Sequence, residues 1–213
     1  MRNKLIALIG FIGFITLLIP SLGLATIIIK LSDKEMTKKA SSIIRGKVIR
    51  RYSKWDSKKK RIYTYTKIAI LEPIKGKKET QEVVIRQLGG SVGNIGMKVS
   101  GNASFKLGEE VLVFLEKIVN NKLHQYHVMG MAYGKYRIVE DANKRHYLVR
   151  DLSNLSIASL KKGRYQFKAA HTIKKSPLYL DHFVKKIRTY IAEIKRASLL
   201  IKQQQIKTKT PPK

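Results

Sequence analysis

Arg61-Ile-Tyr-Thr-Tyr-Thr-Lys-Ile-Ala-Ile-Leu71 decides the fold class. Ile62, Thr64, Thr66, Ile68 and Ile70 fall on one side of this stretch, and Tyr63, Tyr65, Lys67 and Ala69 on the other. A period of two sustained over that length describes a half-buried β-strand, whereas a helix repeats every 3.6 residues. Just before it, Asp56-Ser-Lys-Lys-Lys60 is a polar hairpin tip. Ser42 to Trp55, with Ile43-Ile44, Val48-Ile49 and Tyr52, reads as the partner strand, and Gly46 offers a place for a bulge. Pro73 and the Lys75-Gly76-Lys77-Lys78 turn are expected to end the alternating strand.

The same reading extends outward. Glu82 to Leu88 is a strand centred on Val83-Val84-Ile85, followed by a glycine-rich loop from Gly89 to Gly101. Val111 to Leu115 is an unbroken apolar run, which fits a short strand buried on both faces. Asn120-Asn121 makes a turn, and Gln125–Met131, Gly134–Val139 and His146–Val149 give three more short strands. Many short strands separated by turns indicate a sandwich or barrel, not βαβ units. Towards the N-terminus, Ser32-x-x-Glu35 is a capping box that starts a short helix from Asp33 to Ala40. Towards the C-terminus, residues 151–176 read as a loop-like linker with short elements, and residues 177–203 as a basic amphipathic helix. Its apolar seam runs through Leu180, Val184, Ile187, Ile191, Ile194 and Ile201, broken by the polar Ser198. Residues 204–213, with Pro211-Pro212, read as a disordered tail.

Residues 1–25 have the pattern of a secretory signal. Arg2 and Lys4 form a positive start, Leu5 to Ile19 is apolar or small, Pro20 breaks the helix, and Gly23-Leu24-Ala25 supplies small residues for a signal peptidase. Cleavage between Ala25 and Thr26 would leave residues 26–150 as the main domain. The alternative is an uncut membrane anchor over residues 5–29, since no charge occurs between Lys4 and Lys30. Either reading takes the domain out of the cytoplasm, to the periplasm, cell envelope or exterior.

Composition narrows the chemistry. The 213 residues include 44 Lys and Arg against 14 Asp and Glu, a formal charge of +30. Such a field attracts phosphates, anionic lipid or acidic polymers, and the competing reading is compositional drift that serves general solubility with no particular ligand. Lys predominates and is spread along the chain, whereas dedicated nucleic-acid binders favour Arg concentrated on one face. Nucleic acid is therefore the weaker expectation for a partner, behind anionic lipid or an envelope polymer. The absence of cysteine removes disulfides, thiolate metal sites and cysteine nucleophiles.

The order of Gly46-Lys-Val48, Trp55-Asp56, Arg61-Ile-Tyr-Thr64, Lys75-Gly76, Gly89-Gly90 through Gly96, Phe105 with Gly108-Glu109, Val113-Phe114-Leu115 and Gly134-Lys135-Tyr136-Arg137 resembles a family of exported bacterial proteins with no established function. The resemblance covers about Leu31 to Val139. It implies a small closed β-barrel, similar in outline to the OB-fold of tissue inhibitors of metalloproteinases and netrin-type modules. Those inhibitors chelate the protease metal through an N-terminal cysteine, which this chain lacks, and the long basic C-terminal helix lies outside the pattern. The resemblance implies no catalytic residue and no cofactor.

Two constellations are candidates for binding. Arg51, Trp55, Arg61, Tyr63 and Tyr65 interleave cations with aromatic rings, as OB-like barrels do when they hold single strands or sugars; the competing reading is cross-strand packing of large side chains. Gly89, Gly90, Gly93 and Gly96 offer either a backbone nest for an anion or tight strand crossings. No Gly-Lys-Ser/Thr follows them, so this is not a P-loop. His124 and His127 would face opposite sides of a strand and cannot share an ion. The serines lack a Gly-x-Ser-x-Gly setting, so a hydrolase is the outsider among the function classes. The sequons at Asn102 and Asn154 read as coincidental. The C-terminal helix is open to three uses: covering the barrel, self-association or contact with anionic lipid.

Expressed with its leader in a bacterial host, the protein is expected outside the cytoplasm with Thr26 or a near neighbour at its N-terminus, as read by mass spectrometry. Intact Met1 in the membrane fraction would support the anchor, and a soluble cytoplasmic product with an intact leader would contradict both.

Overall fold

The computed structural model describes residues 26–76, 81–119, 125–152, 155–161, 164–169 and 177–209; the expected leader, His124 and Asn154 lie outside them. The chain is mainly β. Its elements are β1 (Thr26–Ile29), α1 (Asp33–Lys39), β2 (Ser42–Trp55), β3 (Ile62–Lys75), β4 (Glu82–Leu88), β5 (Gly90–Val92), β6 (Ile95–Met97), β7 (Glu110–Lys117), β8 (Gln125–Val128), β9 (Lys135–Glu140), β10 (His146–Val149), β11 (Leu155–Lys161), β12 (Arg164–Ala169), β13 (Leu178–Tyr179) and α2 (Leu180–Lys209). The large sheet runs β13-β10-β9-β7-β2-β3-β4-β8, and β8 pairs with β7 as well. Within it only the β4–β8 pairing is parallel.

The capping box closes α1 as expected. The Glu35 N–H donates to Ser32 Oγ at 3.2 Å, and the Ser32 N–H donates to the Glu35 carboxylate at 2.8 Å. The other end is stopped from a distance. The Lys75 ammonium donates to the carbonyls of Thr37 (2.6 Å), Lys38 (3.1 Å) and Ala40 (2.5 Å), satisfying acceptors that the helix itself leaves open. Burial among these groups pulls the Lys75 pKa down.

β3 outlasts the expected stop at Pro73. Pro73 pairs with Ile44 beside a register shift between Ile43 and Ile44, and a bulge tolerates a residue without an N–H. A further shift precedes Gly46, where a Cβ would collide with the Ala69 carbonyl oxygen and the Ile68 side chain.

Val111 to Leu115 is buried throughout, and the reason is that both faces are covered. Phe114 lies 6.3 Å, ring to ring, from Tyr136 of β9 and 6.3 Å from Phe183 of α2. Val113 pairs with Ile44 on the opposite face, in the core that also holds Ile68, Val83 and Ile85. α2 buries Leu180, Phe183, Val184 and Ile187. Ion pairs Lys186–Asp33, Lys34–Glu193 and Arg188–Glu72 flank it, at 2.9, 2.7 and 2.6 Å. Exposed pairs of this kind contribute about 0–1 kcal/mol each, so the buried apolar face is the anchor. The seam then leaves the body: Ile191 and Ile194 are half-buried, and Ser198 to Ile201 are exposed.

Three expectations are corrected. The C-terminal helix does not end at 203: α2 continues through residues 204–209, expected to belong to the disordered tail. The strand expected over Gln125–Met131 ends at Val128, and a 3-10 turn occupies Met131–Gly134 before β9. Both β8 and β9 run antiparallel to β7, with the intervening residues looped out opposite Phe114. Gly134 makes this possible, because a Cβ there would strike the Met129 carbonyl oxygen. The linker expected at 151–176 contains the β11–β12 hairpin, and β1 adds to β11 in parallel, Thr26 opposite Leu155.

One buried ion pair joins the loop before β7 to β9. Lys135 Nζ lies 2.6 Å from Glu109 Oε1, donates to the Ser104 carbonyl at 2.6 Å, and sits 5.0 Å from the Phe105 ring centre. Both side chains are under one-tenth exposed. Desolvation lowers the Lys135 pKa, with the Glu109 carboxylate opposing that shift. Breaking such a pair on one side strands a buried charge. Glu109→Gln is expected to lose about 3 kcal/mol in urea unfolding, and the double replacement Glu109→Leu with Lys135→Met to lose clearly less; a loss below about 1 kcal/mol for Glu109→Gln would show the pair to be dispensable.

Candidate functional site

β2 and β3 are fourteen residues each, whereas β7 has eight. β7 pairs with β2 only over Ser42–Lys47, and the last bonds on that edge are Val48 N–H to the Glu109 carbonyl and Gly108 N–H to the Val48 carbonyl. Beyond Val48 the β2–β3 hairpin continues as an arm, paired on its far side with β4 as far as Tyr63 opposite Leu88.

Strand alternation gives the arm two faces. The outer face carries Arg50, Tyr52 and Lys54, with Lys67, Tyr65 and Tyr63 as their cross-strand partners and Arg86 beside Tyr65 on β4. Tyr52 and Tyr65 stack at 5.3 Å. Arg50 lies over Tyr52 (5.2 Å), Lys54 over Tyr65 (4.8 Å) and Arg86 over Tyr63 (4.9 Å). Tyr65 is only 6% exposed beneath these neighbours. The inner face carries Arg51, Ser53 and Trp55, paired with Thr66, Thr64 and Ile62.

The five-residue surface expected from sequence is therefore divided. Tyr63 and Tyr65 are outside, Arg51 and Trp55 inside, and Arg61 is exposed at the tip. At that tip Asp56 Oδ1 accepts the N–H groups of Lys60 (2.8 Å) and Arg61 (3.3 Å), so the one carboxylate among residues 50–61 is engaged by its own turn. The same twelve residues hold seven Lys and Arg: Arg50, Arg51, Lys54, Lys58, Lys59, Lys60 and Arg61.

The inner face is where the glycine loop tucks in. The Gly89 N–H donates to the Ile62 carbonyl at 2.7 Å, and Thr64 Oγ1 donates to the Gly89 carbonyl at 2.7 Å. Ser53 Oγ and Thr64 Oγ1 share a hydrogen bond of 3.0 Å. Gly90 has φ +132°, and a Cβ there would collide with both hydroxyls. The loop is more regular than expected: β5 and β6 form a small hairpin, Gly90 opposite Met97, turning at Gly93 with φ +57°. Gly90 is thus needed for close approach to β2 and β3, Gly89 for its φ of +99° and its approach to the Met97 carbonyl, and Gly93 for its turn. Gly96 has ordinary φ and only Ser91 Oγ, 3.5 Å away, near a would-be Cβ.

Between arm and loop lies a cleft of about 520 Å³, lined among others by Arg51, Gln87, Ser91, Gly96, Lys98 and Asn102. Among the described residues its lining includes two cations, several hydrogen-bonding side chains, no carboxylate and no aromatic ring. Asn102 is fixed in place by donating to the Leu88 carbonyl at 2.6 Å. Gln87, Lys98 and Asn102 are not recognisable as site residues from sequence, because only the fold brings them to Arg51. Elsewhere the single described histidine of the His124/His127 pair, His127, is exposed, with Nδ1 2.8 Å from the Arg86 carbonyl. Among the described residues no three metal-ligating side chains gather.

Gly90→Ala is expected to destabilise the fold by about 2–3 kcal/mol in thermal or urea unfolding, while Gly96→Ala stays within about 0.5 kcal/mol. Equal effects would contradict the account of the crossing. Comparison of the sequence with protein-family models and with curated proteins finds no match to either.

Proposed function

We propose that the chain is a non-catalytic, exported OB-like β-barrel module that binds an acidic envelope polymer through the β2–β3 arm. The observation that carries this reading is the charge on the arm: seven cations between residues 50 and 61, with their only carboxylate bound to backbone N–H groups. Acidic groups elsewhere are also engaged internally. Asp33, Glu72, Glu82, Glu109, Glu110, Asp141 and Glu193 all sit in ion pairs, so they do little to screen the arm.

The barrel part of the reading is supported by the sequence of pairings β2-β3-β4-β8-β7, which returns to β2, with a single parallel link between β4 and β8. Five strands with such a return are the plan of an OB-fold. Export is supported by the leader pattern of residues 1–25 and by β1: pairing of Thr26–Ile29 with β11 removes these residues from the apolar stretch and favours a boundary at Ala25/Thr26 over an anchor reaching Ile29.

A basic OB-like domain for single-stranded nucleic acid is the second reading, favoured by the tyrosines of the outer face. Stacking on a base requires an open ring. Tyr65 is covered by Tyr52 and Lys54, so the rings serve first as cross-strand packing. Affinity for polyglucuronate is accordingly expected to drop at least about tenfold between 50 and 200 mM salt through counterion release. Arg50→Gln with Lys54→Gln and Arg61→Gln should flatten that slope, whereas Tyr52→Leu and Trp55→Leu should change affinity less than about twofold. Submicromolar binding of a single-stranded oligonucleotide that collapses on the aromatic replacements would establish the second reading instead.

A further inference from the structure

We propose that the cleft between β2 and the β5–β6 hairpin is a discrete pocket for one acidic sugar unit, a hydroxyl-bearing ring carrying a carboxylate or phosphate. This rests on the reading of the arm as anion-binding and adds a specificity site to it. About 520 Å³ falls within the range of small-ligand pockets, about 300–1,000 Å³. Two features of the lining decide the ligand class.

First, Arg51 and Lys98 approach from different elements, the inner face of β2 and the segment after β6, and among the described residues no carboxylate lines the cleft. Neither forms an ion pair among the described residues. Two cations converging without a counter-charge favour an anionic group, and the guanidinium offers it a planar fork of donors. Second, the remaining polar side chains of the lining are neutral groups that both donate and accept: the Gln87 and Asn102 amides, the Ser91 hydroxyl and the Thr64 hydroxyl, the last already bonded to the Gly89 carbonyl and to Ser53. Asn102 is preorganised by its bond to the Leu88 carbonyl, which leaves its Oδ1 and a second N–H for a ligand. Such groups suit ring hydroxyls. A nucleobase would find no aromatic face here, since Met97, Val99 and Ala103 make up the apolar side-chain lining.

The floor is held firmly. Thr64 bonds the Gly89 carbonyl, and the Ser53–Thr64 pair fills the space under Gly90. The wall at Gly96 is not filled. Gly96 pairs with Ser91, so a side chain there would stand beside that hydroxyl on the cleft face, in a residue with ordinary φ. Gly96→Val therefore narrows the pocket without straining its backbone.

The test is a titration of the full mature chain with glucuronate, glucose 6-phosphate and glucose, followed by NMR or calorimetry. At least one acidic sugar is expected to bind with a dissociation constant below about 10 mM, and glucose at least about tenfold more weakly. Which acidic sugar binds better distinguishes carboxylate from phosphate. Arg51→Gln and Gly96→Val should each weaken binding about tenfold or more, with Lys202→Gln, an exposed cation on α2, as the matched charge control without effect. Absence of binding by both acidic sugars, or binding indifferent to Gly96→Val in a folded protein, would overturn the pocket. Salt-dependent binding of polyglucuronate that persists in Gly96→Val would in that case leave the charged arm standing alone.

Discussion

A mismatch of strand lengths governs this molecule. Two fourteen-residue strands are paired with each other, but the strand on the other edge of β2 supplies only eight residues. Sheet hydrogen bonds are obligatory for buried backbone. Where β7 stops, the hairpin has to find other cover or lie open to water. It does both. The glycine loop covers the inner face, and the outer face is left to tyrosines with the charged ends of Arg and Lys set over their rings.

The body that supports this arm is conventional by comparison. β7 is buried on both sides, so it carries the core against β2 and a second apolar layer against α2 through Phe114, Tyr136 and Phe183. The Lys135–Glu109 pair ties the turn before β7 to β9 at the point where β2 loses its partner. A buried pair adds little net stability over an apolar replacement, yet it penalises any arrangement that separates the two charges. It therefore fixes where β7 begins, and with that how much of the hairpin is left to project.

Local signals carried most of the fold. Alternation in Arg61–Leu71, the capping box at Ser32 and the unbroken run Val111–Leu115 each act within a few residues, and each corresponds to an element in the structure. What could not be read depends on distant partners. The β11–β12 hairpin has short, partly polar strands and is completed by β1, well over a hundred residues earlier. Pro73 looks like a terminator until the bulge beside it, at Ile74, is known. The 3-10 turn at Met131 depends on the close approach of Gly134 to Met129. The site was legible in the same partial way. Residue types identified Arg51, Trp55, Tyr63 and Tyr65 as a group, but alternation about the register Tyr52–Tyr65 sends them to two faces. The glycines were legible as unusual. That they lie against Arg51 follows only from the tertiary fold.

In the proposed reading the projecting hairpin and the loop beneath it form the binding surface, while the basic C-terminal helix does not. Backbone amide shifts of the labelled protein, recorded while a short glucuronate oligomer is added, test this directly. Perturbations are expected to concentrate in residues 50–67 and 86–103. Shifts centred on residues 195–205 of α2, or spread evenly over every exposed lysine, would contradict it.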